Sequence, residues 1–130
     1  MAAILLDTTV LIDALRGRAA AERVRGLRRA GDLPFVCAIN VEEIWRGLRP
    51  GEEPSAVRLL RGLRIAPLGR RQGELAGQWR REFSTQGITL HQADCLIAAA
   101  AISIDARLAT GNPRHFPMAD LCVEHWPVGE

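Results

Sequence analysis

Three acidic residues occupy positions in the sequence where their carboxylates are suited to binding a metal ion. Asp7 directly follows an apolar run, Glu43 comes shortly after a second apolar run, and Asp94 interrupts the apolar face of a helical pattern. Carboxylates gathered at one end of a sheet repel each other and raise each other's pKa, and a divalent cation relieves that repulsion. Oxygen ligands without His or Cys neighbours favour Mg²⁺, with Mn²⁺ as a substitute, over Zn²⁺. The residues therefore predict a metal site, since such an ion orients water as a nucleophile and stabilises charge on a phosphate.

Asp94 is the acid that helix architecture explains least well. Its carboxylate shares a face with Ile97, Ala98 and Ala101, and burial there costs several kcal/mol unless the charge is paired. The pattern Thr89-x-x-Gln92 has the form of a capping box, which predicts that Thr89 caps this helix and that Asp94 does not.

The other polar candidates each have a structural alternative. Asp7 is also suited to capping the first helix, and Glu43 stands three residues after Asn40, as the partner in a capping box does. Asn112 precedes Pro113, a good arrangement for the start of a helical turn.

Short apolar runs alternate with helical patterns along the chain. This alternation predicts an α/β protein with a parallel sheet flanked by helices, whose ligand site lies beyond the carboxyl ends of the strands. The predicted strands are Ala3–Leu6, Leu33–Ala38, Ile65–Leu68, Arg107–Thr110 and Leu121–Val123. The predicted helices begin near Val10, at residue 19, at Asn40, after Pro54, at Gly69 and at Thr89, and they end near Gly17, residue 30, Gly47, Leu63, Gln86 and Ile104.

Composition bounds the possible functions. The 130 residues fit one domain, residues 1–130, and all 17 basic residues are Arg. Arg binds phosphate through a planar fork, although GC-rich coding explains the same bias. The absence of Lys argues against a receiver domain or a haloacid-dehalogenase-type phosphatase, which both need one. The three Cys form no C-x-x-C pair, which predicts buried, reduced thiols and a cytoplasmic protein.

Four segments occur in a characteristic order within this length: Ile4–Asp13, Glu43–Gly47, Asp94–Ala101 and Leu108–Asn112, the last continuing to Phe116. In this order they resemble a PIN-domain ribonuclease, specifically the VapC-type toxin of bacterial and archaeal toxin–antitoxin pairs. The resemblance implies a PIN-like (Rossmann-like) three-layer fold with a short central parallel sheet. It also implies hydrolysis of RNA, with tRNA favoured, to leave a 5′-phosphate and a 3′-hydroxyl. A homodimer and a VapB-type antitoxin, whose tail covers the acidic cleft, are implied as well.

The same resemblance assigns roles within the site. It implies that Asp7, Glu43 and Asp94 are the acidic residues of catalysis and the metal ligands. Asn112 occupies a fourth catalytic position, where the family commonly has Asp. Because Asn carries no charge, we expect one firmly bound ion rather than two. Thr9 and Thr110 match positions where the family uses hydroxyls to hold carboxylates or water.

Other polar residues near the proposed site have both functional and structural explanations. Asp13 is a supporting residue that we expect to be structural rather than ligating. Arg16, Arg18 and Arg46 are candidates for guiding RNA phosphate, although a solvated helix face is the favoured explanation of each. His91 and His115 are candidates for contact with substrate, Glu42 is expected to face solvent, and His125 is expected to lie outside the site.

Two alternatives to the toxin stay open on the sequence. One is a PIN-type nuclease that processes RNA without a toxin role. The other is a PIN-fold binding module that has lost catalysis, and the neutral Asn112 favours it.

Overall fold

Five short strands pair in parallel to form one sheet in the computed structural model, which describes residues 1–129. Numbered along the chain, the strands follow the order 3-2-1-4-5 across the sheet, so the first strand lies at the centre. Its uninterrupted apolar sequence suits a parallel strand covered on both faces. The strands are β1 (Ala3–Leu6), β2 (Leu33–Val36), β3 (Arg64–Ile65), β4 (Arg107–Thr110) and β5 (Val123–His125).

Helices cover both faces of this sheet. Side chains alternate along a strand, so Ile4 and Leu6 of β1 pack in one core cluster while Leu5 packs in another. The first cluster includes residues of the four helices that lie within residues 8–61, and the second includes residues of the two helices within residues 70–103. The predicted three-layer α/β fold is therefore confirmed. The helices are α1 (Thr8–Leu15), α2 (Ala19–Arg29), α3 (Ala38–Arg46), α4 (Glu53–Arg61), α5 (Arg70–Ser84) and α6 (Gln92–Ser103), followed by a short 3-10 turn (Pro113–His115).

Several predicted boundaries were wrong in ways that matter for the site. Helix α1 begins at Thr8 rather than near Val10, because the side chain of Asp7 accepts a hydrogen bond from the Thr8 N–H. Helix α3 begins at Ala38, so Asn40 is its third residue and not its cap. The Asn40 side chain instead accepts a hydrogen bond from the backbone N–H of Cys37.

Helix α6 begins at Gln92 and not at Thr89, because its first turn is closed by a bond from the Cys95 N–H to the His91 carbonyl. The predicted cap at Thr89 is therefore wrong. The last strand was predicted two residues too early, since it is Val123 and not Leu121 that begins the pairing with β4. The predicted β2 and β3 extended too far, and the predicted α4 and α5 each ended two residues too late.

The cysteines are only partly as predicted. Cys37 and Cys95 are buried, but Cys122 is exposed, which corrects the prediction of three buried thiols. Burial raises the pKa of the Cys95 thiol to about 11, so this side chain stays protonated and unreactive at neutral pH. Across residues 1–129, none of the helices has the length and apolar character needed to cross a membrane.

Candidate active site

The three predicted acids lie near one another beyond the carboxyl ends of the strands. Asp7 follows β1 directly, Glu43 lies on the helix that follows β2, and Asp94 lies in the first turn of α6. The dipole of a helix stabilises a negative charge near its N-terminal end, so α6 stabilises the ionised Asp94 side chain in its first turn. This corrects the expectation that helix architecture leaves Asp94 unexplained.

Asp7 is a buried carboxylate held by hydroxyl groups. It is 5% exposed, and one of its oxygens accepts hydrogen bonds from Thr110 Oγ1 at 2.7 Å and from Thr9 Oγ1 at 3.2 Å. The other oxygen accepts from the Thr8 N–H at 2.8 Å. Burial raises the pKa of Asp7 above its ordinary value, and these hydrogen bonds oppose that rise. Thr9 and Thr110 thus lie where the resemblance placed them, against a carboxylate.

Thr8 links two of the acids, and sequence reasoning missed it. Its hydroxyl donates to Glu43 Oε1 at 2.6 Å and accepts from Asn40 Nδ2 at 3.1 Å, while its backbone N–H binds Asp7. Glu43 is the sixth residue of α3, far from the helix start, so its capping alternative is wrong. The only sequence signal for Thr8 was its position beside Asp7.

Asp94 is half-buried beside the other two acids. Burial raises the pKa of Asp94, and the charges of Asp7 and Glu43 raise it further, while His115 and His91 lower it. His115 Nδ1 lies 3.4 Å from Asp94 Oδ2, and the rings of His91 and His115 are 6.4 Å apart. His91 and His115 therefore both border the acids.

The charge balance of this acidic cluster, defined as Asp7, Glu43 and Asp94, favours a cation. Within residues 1–129 none of the three acids has an Arg in an ion pair, and His115 is the sole basic contact. Across the same residues no three acidic, His or Cys side chains already converge closely enough to chelate an ion together. Mg²⁺ typically takes one or two protein carboxylates and fills its remaining positions with water and phosphate oxygens. The all-oxygen donor set fits that preference.

The turn after β4 is built around a glycine. The Gly111 N–H donates to Thr9 Oγ1 at 3.0 Å, and a Cβ added to Gly111 would lie 2.7 Å from Val128 Cγ2. Any larger residue would therefore require the Val128 side chain to shift. The backbone N–H of Asn112 donates to Thr110 Oγ1, and the Asn112 side chain is exposed. This side chain does not cap the 3-10 turn, so the alternative in which Asn112 serves as a helix cap is not supported.

Asp13 does not join the acidic cluster. It is 2% exposed, and its two oxygens accept hydrogen bonds from the backbone N–H groups of Ala20 at 3.0 Å and Gly129 at 3.1 Å. Arg18 Nη1 lies 4.0 Å away. Asp13 thus caps the first turn of α2 and holds the C-terminal segment, defined as residues 125–129. Both contacts support its expected structural role.

The predicted RNA-binding arginines differ in their surroundings. Arg16 forms an ion pair with Glu52 at 3.2 Å, and Arg18 lies near Asp13, so both guanidinium groups have protein partners. Arg46 is exposed and makes no ion pair within residues 1–129. Their contact with RNA stays a prediction. Glu42 is exposed, as expected.

Comparison with known proteins places this geometry in a family. The family model described as PIN domain matches residues 4–121. The chain is 37% identical over 120 residues to ribonuclease VapC10 of Mycobacterium tuberculosis, covering 88% of this chain and 86% of that one. It is 31% identical over 115 residues to ribonuclease VapC19 of the same species, covering 88% and 92%.

A solved structure agrees with the sequence comparisons. A chain from VapBC-1 of nontypeable Haemophilus influenzae superposes with a TM-score of 0.79 at 26% identity, covering 95% of this chain and 98% of that one. Since the family model matches residues 4–121, which make up most of the chain and include all three acids of the cluster, this chain belongs to the PIN-domain family.

Proposed function

We propose that this protein is a metal-dependent endoribonuclease that acts as a VapC-type toxin. The observation that carries the proposal is the acidic cluster, in which two carboxylates have pKa values raised by burial and none has an Arg partner among the described residues. The ribonuclease names of the relatives support RNA as the substrate.

Asp7, Glu43 and Asp94 are the residues that would hold the ion, which we take to be Mg²⁺ with Mn²⁺ as a substitute. Bound there, the ion would orient water and stabilise negative charge on the scissile phosphate. The chain's own contribution is orientation: Thr9 and Thr110 fix one oxygen of Asp7, and Thr8 fixes Glu43. Because Asn112 brings no charge to the fourth catalytic position, we propose one firmly bound ion.

The partners follow from the relatives. VapBC-1 of Haemophilus influenzae is a VapBC assembly, and we propose that this chain likewise binds a VapB-type antitoxin. We further propose a homodimer, a tRNA substrate and a cytoplasmic location, with residues 1–130 forming one domain. A nuclease without a toxin role and an inactive binding module stay as alternatives, the second favoured by Asn112.

Purified protein supplied with Mg²⁺ or Mn²⁺ is expected to cleave RNA and to leave 5′-phosphate and 3′-hydroxyl ends. The reason is that the acids need a cation to accept a phosphodiester beside them. The measurement incubates the protein with separate pools of tRNA, rRNA and mRNA and assigns the ends by their sensitivity to a 5′-phosphate-dependent exonuclease. EDTA should stop the reaction and added Mg²⁺ should restore it.

Two outcomes would count against this function. Cleavage that continues in EDTA would remove the metal from the mechanism, and the absence of cleavage in all three pools would favour the inactive binding module. Growth arrest on expression, relieved by co-expressing a small upstream reading frame, would separate a toxin from a housekeeping nuclease.

A further inference from the structure

A cavity of about 370 Å³ lies next to the acidic cluster and has a basic lining. It is formed by the turn after β4 together with one residue of the C-terminal segment, namely Gly111, Asn112, Pro113, Arg114, His115 and His125. None of these residues is acidic, although the site beside them is built from carboxylates. Its volume falls within the roughly 300–1,000 Å³ typical of ligand pockets.

His115 joins this cavity to the acidic cluster. Its side chain lines the cavity, while its Nδ1 lies 3.4 Å from Asp94 Oδ2. A phosphodiester placed at the acids therefore has a neighbouring nucleotide within reach of the cavity.

Arg114 is the cation that this cavity offers. Its side chain is exposed, and within residues 1–129 it makes no ion pair and no side-chain hydrogen bond, unlike Arg16, whose guanidinium is paired with Glu52. A guanidinium without a carboxylate partner keeps its fork of N–H donors available for a phosphate. Sequence reasoning did not single out Arg114, although it lies between Asn112 and His115, which were both candidate site residues.

The C-terminal segment supplies the other wall. The Trp126 N–H donates to the Thr110 carbonyl at 2.8 Å, and the Gly129 N–H is held by Asp13, so both ends of this segment are fixed. His125, the last residue of β5, is exposed and lines the cavity. An imidazole ring in this position is suited to contact a base or ribose of single-stranded RNA.

Resting on the proposed nuclease function, we propose that this cavity is a substrate subsite that binds the nucleotide next to the scissile phosphate. Arg114 contacts its phosphate, and His115 and His125 border its nucleoside. His125 was expected to lie outside the site, whereas this subsite would include it.

Substituting Arg114→Ala is expected to weaken RNA binding roughly tenfold, since one bidentate phosphate contact is lost. Fluorescence anisotropy with a short labelled single-stranded RNA of mixed sequence measures this, in an Asp94→Asn background so that the probe survives. The slope of log Kd against log salt concentration should fall by about 0.7, the contribution of one phosphate contact to a single strand. Arg114→Lys should keep the salt slope and recover part of the affinity.

Arg71→Ala is the matched control. Arg71 is also exposed and lines a cavity of about 540 Å³, but that cavity lies beside Ile102 and Ser103 at the opposite end of α6 from Asp94. Equal effects of the two substitutions, or no effect of Arg114→Ala, would overturn the subsite. Because binding is read without cleavage, a failed subsite is distinguishable from a failed nuclease assignment, which appears as an intact protein that cuts no RNA.

Discussion

The Asp94→Asn protein is expected to lose RNA cleavage by roughly a thousandfold or more in kcat/KM while keeping its fold. Asn preserves the shape of the side chain but removes the negative charge that the proposed cation needs. Asp94 is half-buried and its only ion-pair contact among residues 1–129 is His115, so the exchange breaks no network that holds the fold.

The same variant is expected to be at least as stable as the parent without metal. Burial raises the pKa of Asp94 in the folded state, so its stabilising contribution is complete at low pH and is lost as the pH rises through that pKa. At neutral pH the ionised side chain opposes folding, and Asn removes this penalty. Added Mg²⁺ should raise the melting temperature of the parent, since it binds the folded state, and should raise that of the variant much less.

Asp105→Asn is the matched control for this prediction. Asp105 is exposed, lies beyond the other end of α6 and has a φ of 52°, a backbone conformation that Asn adopts as readily as Asp. Its substitution should leave cleavage and the metal-dependent melting shift unchanged. An Asp94→Asn protein that cuts RNA at the parental rate would show that Asp94 is not part of the catalytic site.

Replacing Asp13 by Ala is expected to destabilise the protein by about 2–4 kcal/mol. The change leaves the N–H groups of Ala20 and Gly129 without their acceptor, removes the cap of α2 and opens space at a side chain that is 2% exposed. Urea denaturation followed by circular dichroism measures the loss. Asp13→Asn, which retains one acceptor oxygen, should lie between the parent and the Ala variant.

Asp120→Ala serves as the control for this stability effect, because Asp120 is exposed and accepts no side-chain hydrogen bond within residues 1–129. Its free energy of unfolding should stay close to the parental value. If Asp13→Ala were equally mild, the hydrogen bonds to Ala20 and Gly129 would not be what holds α2 and the C-terminal segment.

The sheet and the acidic cluster were predictable because each depends on local patterns. The uninterrupted apolar run before Asp7 indicates a buried parallel strand. It also places the Asp7 carboxylate just beyond the carboxyl end of that strand, where ligand sites of such sheets lie. The single charged residue Asp94 in an otherwise apolar helix can likewise be recognised from this sequence alone, without any structure. These signals did not depend on the exact starts of α1 and α6, and the predicted ends of β1 at Leu6 and of β4 at Thr110 were correct.

The remaining features depend on contacts between distant parts of the chain. Thr110 reaches Asp7 across 103 positions, and Asp13 reaches Gly129 across 116. Nothing near Asp13 in the sequence indicates that its partners are backbone groups of a helix and of the C-terminal segment. The basic cavity around Arg114 likewise forms only when β5 pairs with β4 and brings His125 alongside.

The most direct test of the proposed function is sequencing of RNA 5′-phosphate ends from cells that briefly express the chain or its Asp94→Asn variant. We predict new ends at a small number of sites, chiefly in tRNA, that appear with the parent and are absent with the variant. Matched amounts of folded protein, verified by immunoblotting of the soluble fraction, make the two samples comparable. Identical end profiles for the parent and the variant would contradict the claim that the acidic cluster cuts RNA.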